Sequence, residues 1–148
     1  MRALSLFVVW GSILLLAACD MGPKSAAGFR LPDGDATVGE EVFVSLDCVS
    51  CHTVKGHELP APLQPGPVSV ALGGEVTKIK TYGELVSSII NPSHKITRNY
   101  PKDQVTKDGE SLMLIYNEEM TVQQLIDLVA FLQSKYEVVL PDFQYHRF

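Results

Sequence analysis

Residues 48–52 have the sequence Cys-Val-Ser-Cys-His, and this pentapeptide constrains the chain more than any other feature. Two thiols separated by two residues, with an imidazole directly after the second, are typical of a site where haem is covalently attached. The spacer lets both sulfurs reach neighbouring edges of one porphyrin, and the adjacent imidazole then lies under the iron. We therefore predict one haem c attached through Cys48 and Cys51, with His52 as an iron ligand.

Other uses of this pentapeptide need features that the sequence does not offer. A dithiol oxidoreductase would need a βαβ setting and a helix that begins at the first cysteine, whereas a helical pattern here runs into Cys48. A structural zinc site needs four ligands, and only Cys48, Cys51 and His52 cluster. A disulfide would leave the histidine unexplained.

The amino-terminal segment predicts export and lipid attachment. It begins with Met-Arg, continues as an almost wholly apolar run over residues 3–18, and ends in Leu-Ala-Ala-Cys. A membrane-spanning helix needs about 20 apolar residues, so this run is short for a span and typical of a signal peptide. Small residues directly before a cysteine resemble the lipobox of bacterial lipoproteins, in which the signal is cleaved and the cysteine carries lipids. We therefore predict a signal peptide over residues 1–18 and a lipid anchor on Cys19. The protein would then lie at the periplasmic or other extracytoplasmic face of the cell membrane; an ordinary cleavage site beside an incidental cysteine is the alternative.

Capping signals predict helices in the chain after a tether over residues 19–36, which is rich in glycine and proline. Each signal is a threonine followed three residues later by glutamate or glutamine, a pattern that satisfies the first backbone N–H groups of a helix. The signals are Thr37 with Glu40, Thr81 with Glu84, and Thr121 with Gln124. The first helix is expected to run towards Leu46, the second to end before Pro92, and the third to reach Leu132.

Long loops separate these helices. Four prolines lie between residues 53 and 74, and residues 91–110 contain two more prolines and an Asp-Gly pair. Strand signals are weak throughout, so the sequence predicts an all-α fold with few helices and long loops. Ordering each loop residue costs about 1–2 kcal/mol of backbone entropy, which three short helices cannot offset alone. A rigid apolar group is therefore expected to fill the middle of the domain.

The segment over residues 37–137 resembles a monohaem class I cytochrome c. Gly39 and Phe43 are similar to the glycine and the aromatic residue of that family's amino-terminal helix. Residues 127–132, Asp-Leu-Val-Ala-Phe-Leu, resemble the carboxy-terminal helix, with phenylalanine in place of tyrosine. The resemblance implies a cytochrome c fold, in which few helices and long loops wrap around one covalently attached haem. It also implies that the two terminal helices cross near the glycine with aromatic packed against aromatic. Residues 138–148 then form a carboxy-terminal extension.

The resemblance further implies a methionine as the sixth iron ligand. Met113 occupies the family's position, although Leu114 replaces the proline that usually follows, and Met120 is the alternative. A proline carbonyl typically accepts the N–H of the proximal imidazole, and Pro67 is expected in this role, with Pro65 as the second choice. Hydrogen-bonding or surface roles, rather than ligation, are expected for the remaining histidines: His57, His94 and His146.

The composition argues against one class of function, and the expected iron ligands favour another. The net charge is −5, from 12 Lys and Arg against 17 Asp and Glu, and no run of basic residues is present, which argues against nucleic-acid binding. Iron with His52 and Met113 on its axial positions has no vacancy for substrate, so we expect electron transfer and not catalysis. The hypothesis is a membrane-tethered carrier of single electrons between respiratory or other redox proteins, and the acidic balance favours partners with basic docking faces. The alternatives are a cytochrome subunit of a stable membrane oxidoreductase and a haem sensor or peroxidase.

Overall fold

The computed structural model describes residue 29 and residues 31–139 of the 148-residue chain. The predicted signal peptide, Cys19, most of the predicted tether and residues 140–148 of the extension lie outside the described residues. Contacts between Cα atoms divide the chain into residues 1–31 and 32–148, and every helix and strand given below belongs to the second unit. Within the described part, no helix combines the length and the apolar character that crossing a membrane requires.

The architecture is mainly helical. The described residues contain four α-helices: α1 Ala36–Ser45, α2 Tyr82–Ile90, α3 Lys102–Val105 and α4 Val122–Ser134. Short 3₁₀ turns at Cys48–Ser50 and Pro92–His94 follow α1 and α2. The prediction of few helices joined by long loops is confirmed, while the single turn of α3 lies where only loop was predicted.

Short strands, which the sequence did not predict, connect the loops in three pairs within the described residues. The pairs are β1 His52–Val54 with β2 Val70–Leu72, parallel; β3 Gly74–Val76 with β6 Tyr136–Val138, parallel; and β4 Thr106–Lys107 with β5 Glu110–Ser111, antiparallel. Each strand has only two or three residues, so no alternation of apolar and polar residues develops along it. Their pairing depends on tertiary contacts and leaves little trace in the local sequence.

Two of the three predicted capping boxes are confirmed, and α2 and α4 begin where they were predicted. In both, the threonine side chain accepts an N–H bond at 3.2 Å from the residue three positions later. The first box is wrong, because Asp35 caps α1 in place of Thr37. The Asp35 carboxylate accepts the N–H of Thr37 at 2.8 Å, and α1 therefore begins at Ala36. A carboxylate at this position also interacts favourably with the positive end of the helix dipole.

Helices α1 and α4 cross in close contact at Gly39. A Cβ atom there would collide with the carbonyl group of Asp127 and with the Cβ of Phe131. One turn further along α1, the rings of Phe43 and Phe131 pack with centroids 5.6 Å apart and planes tilted by 55°. Each of these two rings is only 1% exposed. The helix crossing at the glycine, with aromatic against aromatic, is thereby confirmed.

A buried carboxylate connects the start of α1 to α4. Asp127 is 5% exposed, and its Oδ1 accepts the backbone N–H of Asp35 at 2.9 Å. Gln123 donates its side-chain amide to both carboxylate oxygens at 3.1 Å. These hydrogen bonds satisfy the buried carboxylate and fix the direction in which α1 enters the crossing.

The close crossing predicts the effect of adding a methyl group. Gly39→Ala is expected to lower the free energy of unfolding by about 1–3 kcal/mol, because the new Cβ forces α1 away from α4. The matched control, Gly83→Ala in α2, places a Cβ where no other part of the chain lies within 4 Å. It should leave stability unchanged or raise it by up to about 1 kcal/mol, because alanine is the better helix former. Denaturant unfolding of the haem-loaded proteins measures both values, and equal stability of Gly39→Ala and the wild type would contradict the crossing.

Candidate functional site

A cavity of about 1170 Å³ is bounded by α1, α2 and α4. Its lining includes apolar side chains from each of these helices, among them Phe43, Leu85, Leu128 and Leu132. Typical small-molecule pockets measure about 300–1,000 Å³, so this space suits a large apolar group. The structure therefore contains a space for the rigid apolar group that the long loops were expected to need.

The pentapeptide of residues 48–52 borders this cavity and a smaller one of about 180 Å³. Cys48 lines the larger cavity, Cys51 lines the smaller, and His52 lines both. Between the end of α1 and the 3₁₀ turn that begins at Cys48, Asp47 adopts a left-handed conformation with φ 54°. No disulfide joins Cys48 to Cys51. A helix that ends just before the first cysteine agrees with the sequence argument against a dithiol oxidoreductase.

The backbone holds the imidazole of His52. Its Nδ1 lies 3.2 Å from the carbonyl oxygen of Val70, because the register of β1 and β2 puts these two residues opposite each other. With the Nδ1 proton donated to that oxygen, Nε2 carries the lone pair that can bind a metal. Burial lowers the pKa of His52, and the hydrogen bond to Val70 opposes this shift. The ring is therefore neutral at pH 7, as a metal-ligating imidazole must be.

The acceptor of this bond corrects a prediction, because it is Val70 and neither Pro67 nor Pro65. Both prolines are exposed, precede β2, and line neither cavity. Val70 donates its own N–H to the carbonyl of Cys51 at 2.8 Å, which attaches the strand to the pentapeptide. A backbone carbonyl has no side-chain signature, so only the pairing of β1 with β2 reveals this acceptor.

Close packing surrounds the two thiols. Burial raises the pKa of the Cys48 thiol to about 11; a backbone hydrogen bond opposes the rise, and Asp47 and Cys51 add to it. The thiol is therefore protonated at neutral pH before attachment. Gly66 lies against Cys51, because a Cβ on Gly66 would collide with the Cys51 Sγ. Gly66 also donates its N–H to the carbonyl of Ser50 at 2.8 Å, which fixes this approach.

Both candidate methionines reach the larger cavity. Met113 lines the larger and the smaller cavity, as His52 does, whereas Met120 lines only the larger one. Each methionine is half-buried. Leu114, which stands where the family usually has proline, is 67% exposed. His52, Met113 and Met120 thus all line the larger cavity.

The two remaining described histidines have polar partners. His94 Nδ1 lies 2.7 Å from the carbonyl oxygen of Asn91, and His94 lines the larger cavity. His57 lines neither cavity; its Nε2 lies 3.0 Å from a carboxylate oxygen of Glu40, and its ring packs edge-on against Phe131. Because His94 is part of the cavity lining, it is a necessary control in any test of iron ligation.

Basic side chains line the cavity although the whole chain is acidic. Five lining residues are basic and two are acidic: Lys55, Lys80, Lys95, Arg98 and Lys102 against Glu75 and Glu84. Lys95 donates to Glu84 at 3.1 Å, and this bond is the main reason that the pKa of Glu84 is lowered. Haem is apolar except for two propionate groups, so an apolar cavity with basic side chains suits it. The residues present therefore fit haem. The sequence analysis missed this basic lining, although Lys95, Arg98 and Lys102 are close together in the chain.

The comparison with known families agrees with this site. The family model for cytochrome c matches residues 36–135, which is two thirds of the chain. The chain therefore belongs to the cytochrome c family. No curated protein and no solved structure matched. Membership in this family means that the chain binds haem c covalently through Cys48 and Cys51 and transfers electrons.

The space beside Cys51 predicts a defect in haem attachment. Gly66→Ala is expected to lower the haem-to-protein ratio several-fold in a host that attaches haem, because the new Cβ occupies the position of the Cys51 sulfur. Haem absorbance per protein and the intact mass measure the attached fraction. Gly83→Ala, whose new Cβ meets no other part of the chain, should attach haem fully. Full attachment in Gly66→Ala would contradict the role given to this glycine.

Proposed function

We propose that this protein is a membrane-tethered class I monohaem cytochrome c that carries single electrons, with His52 and Met113 as the iron ligands. Family membership supports haem binding and electron transfer. The observation that most supports the ligand pair is that His52 and Met113 line both cavities, whereas Met120 lines one. The sequence of residues 16–19 supports the tether.

His52 is suited to the first axial position. Its ring is neutral, and its Nδ1–H is directed at the Val70 carbonyl, so Nε2 is the ligating atom. Hydrogen bonding through Nδ1 makes the imidazole a stronger electron donor and resists rotation of the ring. The acceptor is part of the β1–β2 pairing, so turning the ring would break a contact between two paired strands.

Met113 and the apolar wall are suited to a raised reduction potential. Haem held by His52 and Met113 would supply a one-electron Fe(III)/Fe(II) couple, and the two protein ligands would leave no site on the iron for substrate. A thioether ligand from Met113 favours ferrous iron and raises the potential. Apolar side chains such as Leu85 and Leu128 line the cavity, and apolar surroundings favour the less charged, reduced state of the iron. These residues bind the haem and adjust its reduction potential, and none of them has a catalytic role.

The proposed lipid anchor limits which redox partners the domain can reach. Lipid on Cys19 would hold the domain at the membrane surface, and residues 19–36 would let it move over a limited distance. Tethering raises the local concentration of partners within reach and excludes those beyond it. We propose that the partners are membrane or periplasmic redox proteins that bind weakly and in turn.

The ligand pair predicts a selective spectroscopic loss. In haem-loaded protein, Met113→Ala is expected to abolish the methionine–iron charge-transfer band of the ferric state and to lower the reduction potential. Ferrous Met113→Ala should bind carbon monoxide readily, because one axial position is then weakly occupied. The matched variants Met120→Ala and His94→Ala should keep the band, although both residues line the cavity.

Each contrary result points to a specific revision. Loss of the band in Met120→Ala alone would move the sixth ligand to Met120. A wild-type protein that is high-spin and binds carbon monoxide would contradict the electron-carrier proposal and favour a haem sensor or peroxidase.

The tether predicts a defined amino terminus and membrane association. The mature protein should begin at Cys19 with the added mass of lipid, and detergent, but not high salt, should release it from membranes. Replacing residues 1–19 with an export signal that lacks a lipobox should yield a soluble haem protein with an unchanged spectrum. An unmodified amino terminus on the mature wild type would refute the anchor. Elution of all the extracted protein with one large oxidoreductase would instead make it a permanent subunit.

A further inference from the structure

We infer that Ser93 and Ser111 act as a hydroxyl brace that positions Met113 at the cavity. This inference rests on the proposed ligation of iron by Met113. The serine brace consists of these two residues and the two hydrogen bonds that they make towards Met113. Both are positioning residues, since neither hydroxyl is assigned a contact with the iron.

The brace is continuous from the 3₁₀ turn to the methionine. Ser93 Oγ accepts the backbone N–H of Ser111 at 3.0 Å, and Ser111 Oγ accepts the backbone N–H of Met113 at 3.1 Å. All three residues are half-buried, so water competes only partly for these groups. The position of the Met113 backbone is therefore coupled to the turn that contains Ser93.

Both ends of the brace are attached to ordered structure. At one end, Ser93 follows the buried residue Pro92, and Asn91, which precedes it, donates its N–H to the carbonyl of Ser87 in α2 at 2.9 Å. At the other end, Ser111 lies in β5, which pairs with β4. Leu112, between Ser111 and Met113, donates its N–H to Val105 at 3.0 Å. The brace therefore connects α2 and the β4–β5 hairpin to the proposed ligand.

The residues after Met113 do little to hold it in place, so the residues before it have to. A proline following methionine would restrict the backbone of the methionine itself, but this chain has Leu114 there. Leu114 and Ile115 are 67% and 66% exposed, so burial of their side chains does little to hold the segment. The restraint on Met113 comes instead from the residues before it.

A ligand-exchange titration tests the brace. Imidazole added to the ferric, haem-loaded protein competes with Met113 for the iron, and loss of the methionine–iron band reports the exchange. Ser111→Ala and Ser93→Ala should each raise the apparent affinity for imidazole about two- to tenfold, the range expected for loss of one hydrogen bond. The double variant should show less than the product of the two effects, because both bonds belong to one network.

Two matched variants distinguish loss of the Ser111 hydroxyl from the general effects of a serine substitution. Ser111→Thr keeps a hydroxyl at the same position and should retain the wild-type affinity for imidazole. Ser45→Ala removes a hydroxyl that donates to the carbonyl of Val42 in α1, outside the cavity lining, and should change nothing. Ser93→Ala removes the brace from its other end, which keeps the test informative if Ser111→Ala does not fold.

The outcomes separate the brace from the ligation on which it rests. If the wild type has a Met113-dependent band, and Ser111→Ala and Ser93→Ala bind imidazole no more tightly than Ser45→Ala, the brace is refuted while the ligation stands. A wild type without such a band would overturn both together. Tighter imidazole binding in the two alanine variants, reversed in Ser111→Thr, would establish the brace.

Discussion

The close crossing of α1 and α4 at Gly39 determines where the rest of the site lies. Because the helix backbones approach at this point, Phe43 reaches both Phe131, with ring centroids 5.6 Å apart, and His52, with centroids 6.4 Å apart. The same phenylalanine lines the larger cavity. The crossing therefore carries the end of α1, and the pentapeptide that follows it, to the cavity wall. A shift of α1 would displace the cysteines and the imidazole together.

Sequence reasoning succeeded where one side chain carries the information. The pentapeptide, the glycine of the crossing and the capping threonines of α2 and α4 each combine a residue type with a fixed spacing. It failed where the backbone supplies the interaction or where two local signals compete. The carbonyl of Val70, which accepts the His52 hydrogen bond, has no signature in the sequence. At the start of α1 two capping residues are close together, and Asp35 caps the helix instead of Thr37. The short strands were missed because each is formed by its partner and not by its own pattern.

The charge of the site differs in sign from the charge of the chain. The sequence has a net charge of −5, yet the cavity lining contains five basic and two acidic side chains. Two haem propionates would offset part of this positive charge, which is one reason to keep it beside the cofactor. Fields at a surface depend on the nearest charges and are screened within about 8 Å at physiological ionic strength. The acidic balance of the whole chain therefore does not describe the charge around the cavity, which the five basic lining residues determine.

The two proposed axial ligands are restrained in different ways. A backbone carbonyl orients His52, so no side-chain substitution at Val70 removes the acceptor unless it displaces β2. Two hydroxyls restrain Met113, and a single substitution can remove either of them. The acceptor of the His52 hydrogen bond is thus insensitive to the side chain at Val70, while the proposed Met113 ligation can be adjusted in small steps. Under the proposed ligation, the strength of the bond between Met113 and iron would govern both the potential and the access of other ligands. Substitutions at Ser93 or Ser111 would then change these two properties without disturbing haem attachment at the cysteines.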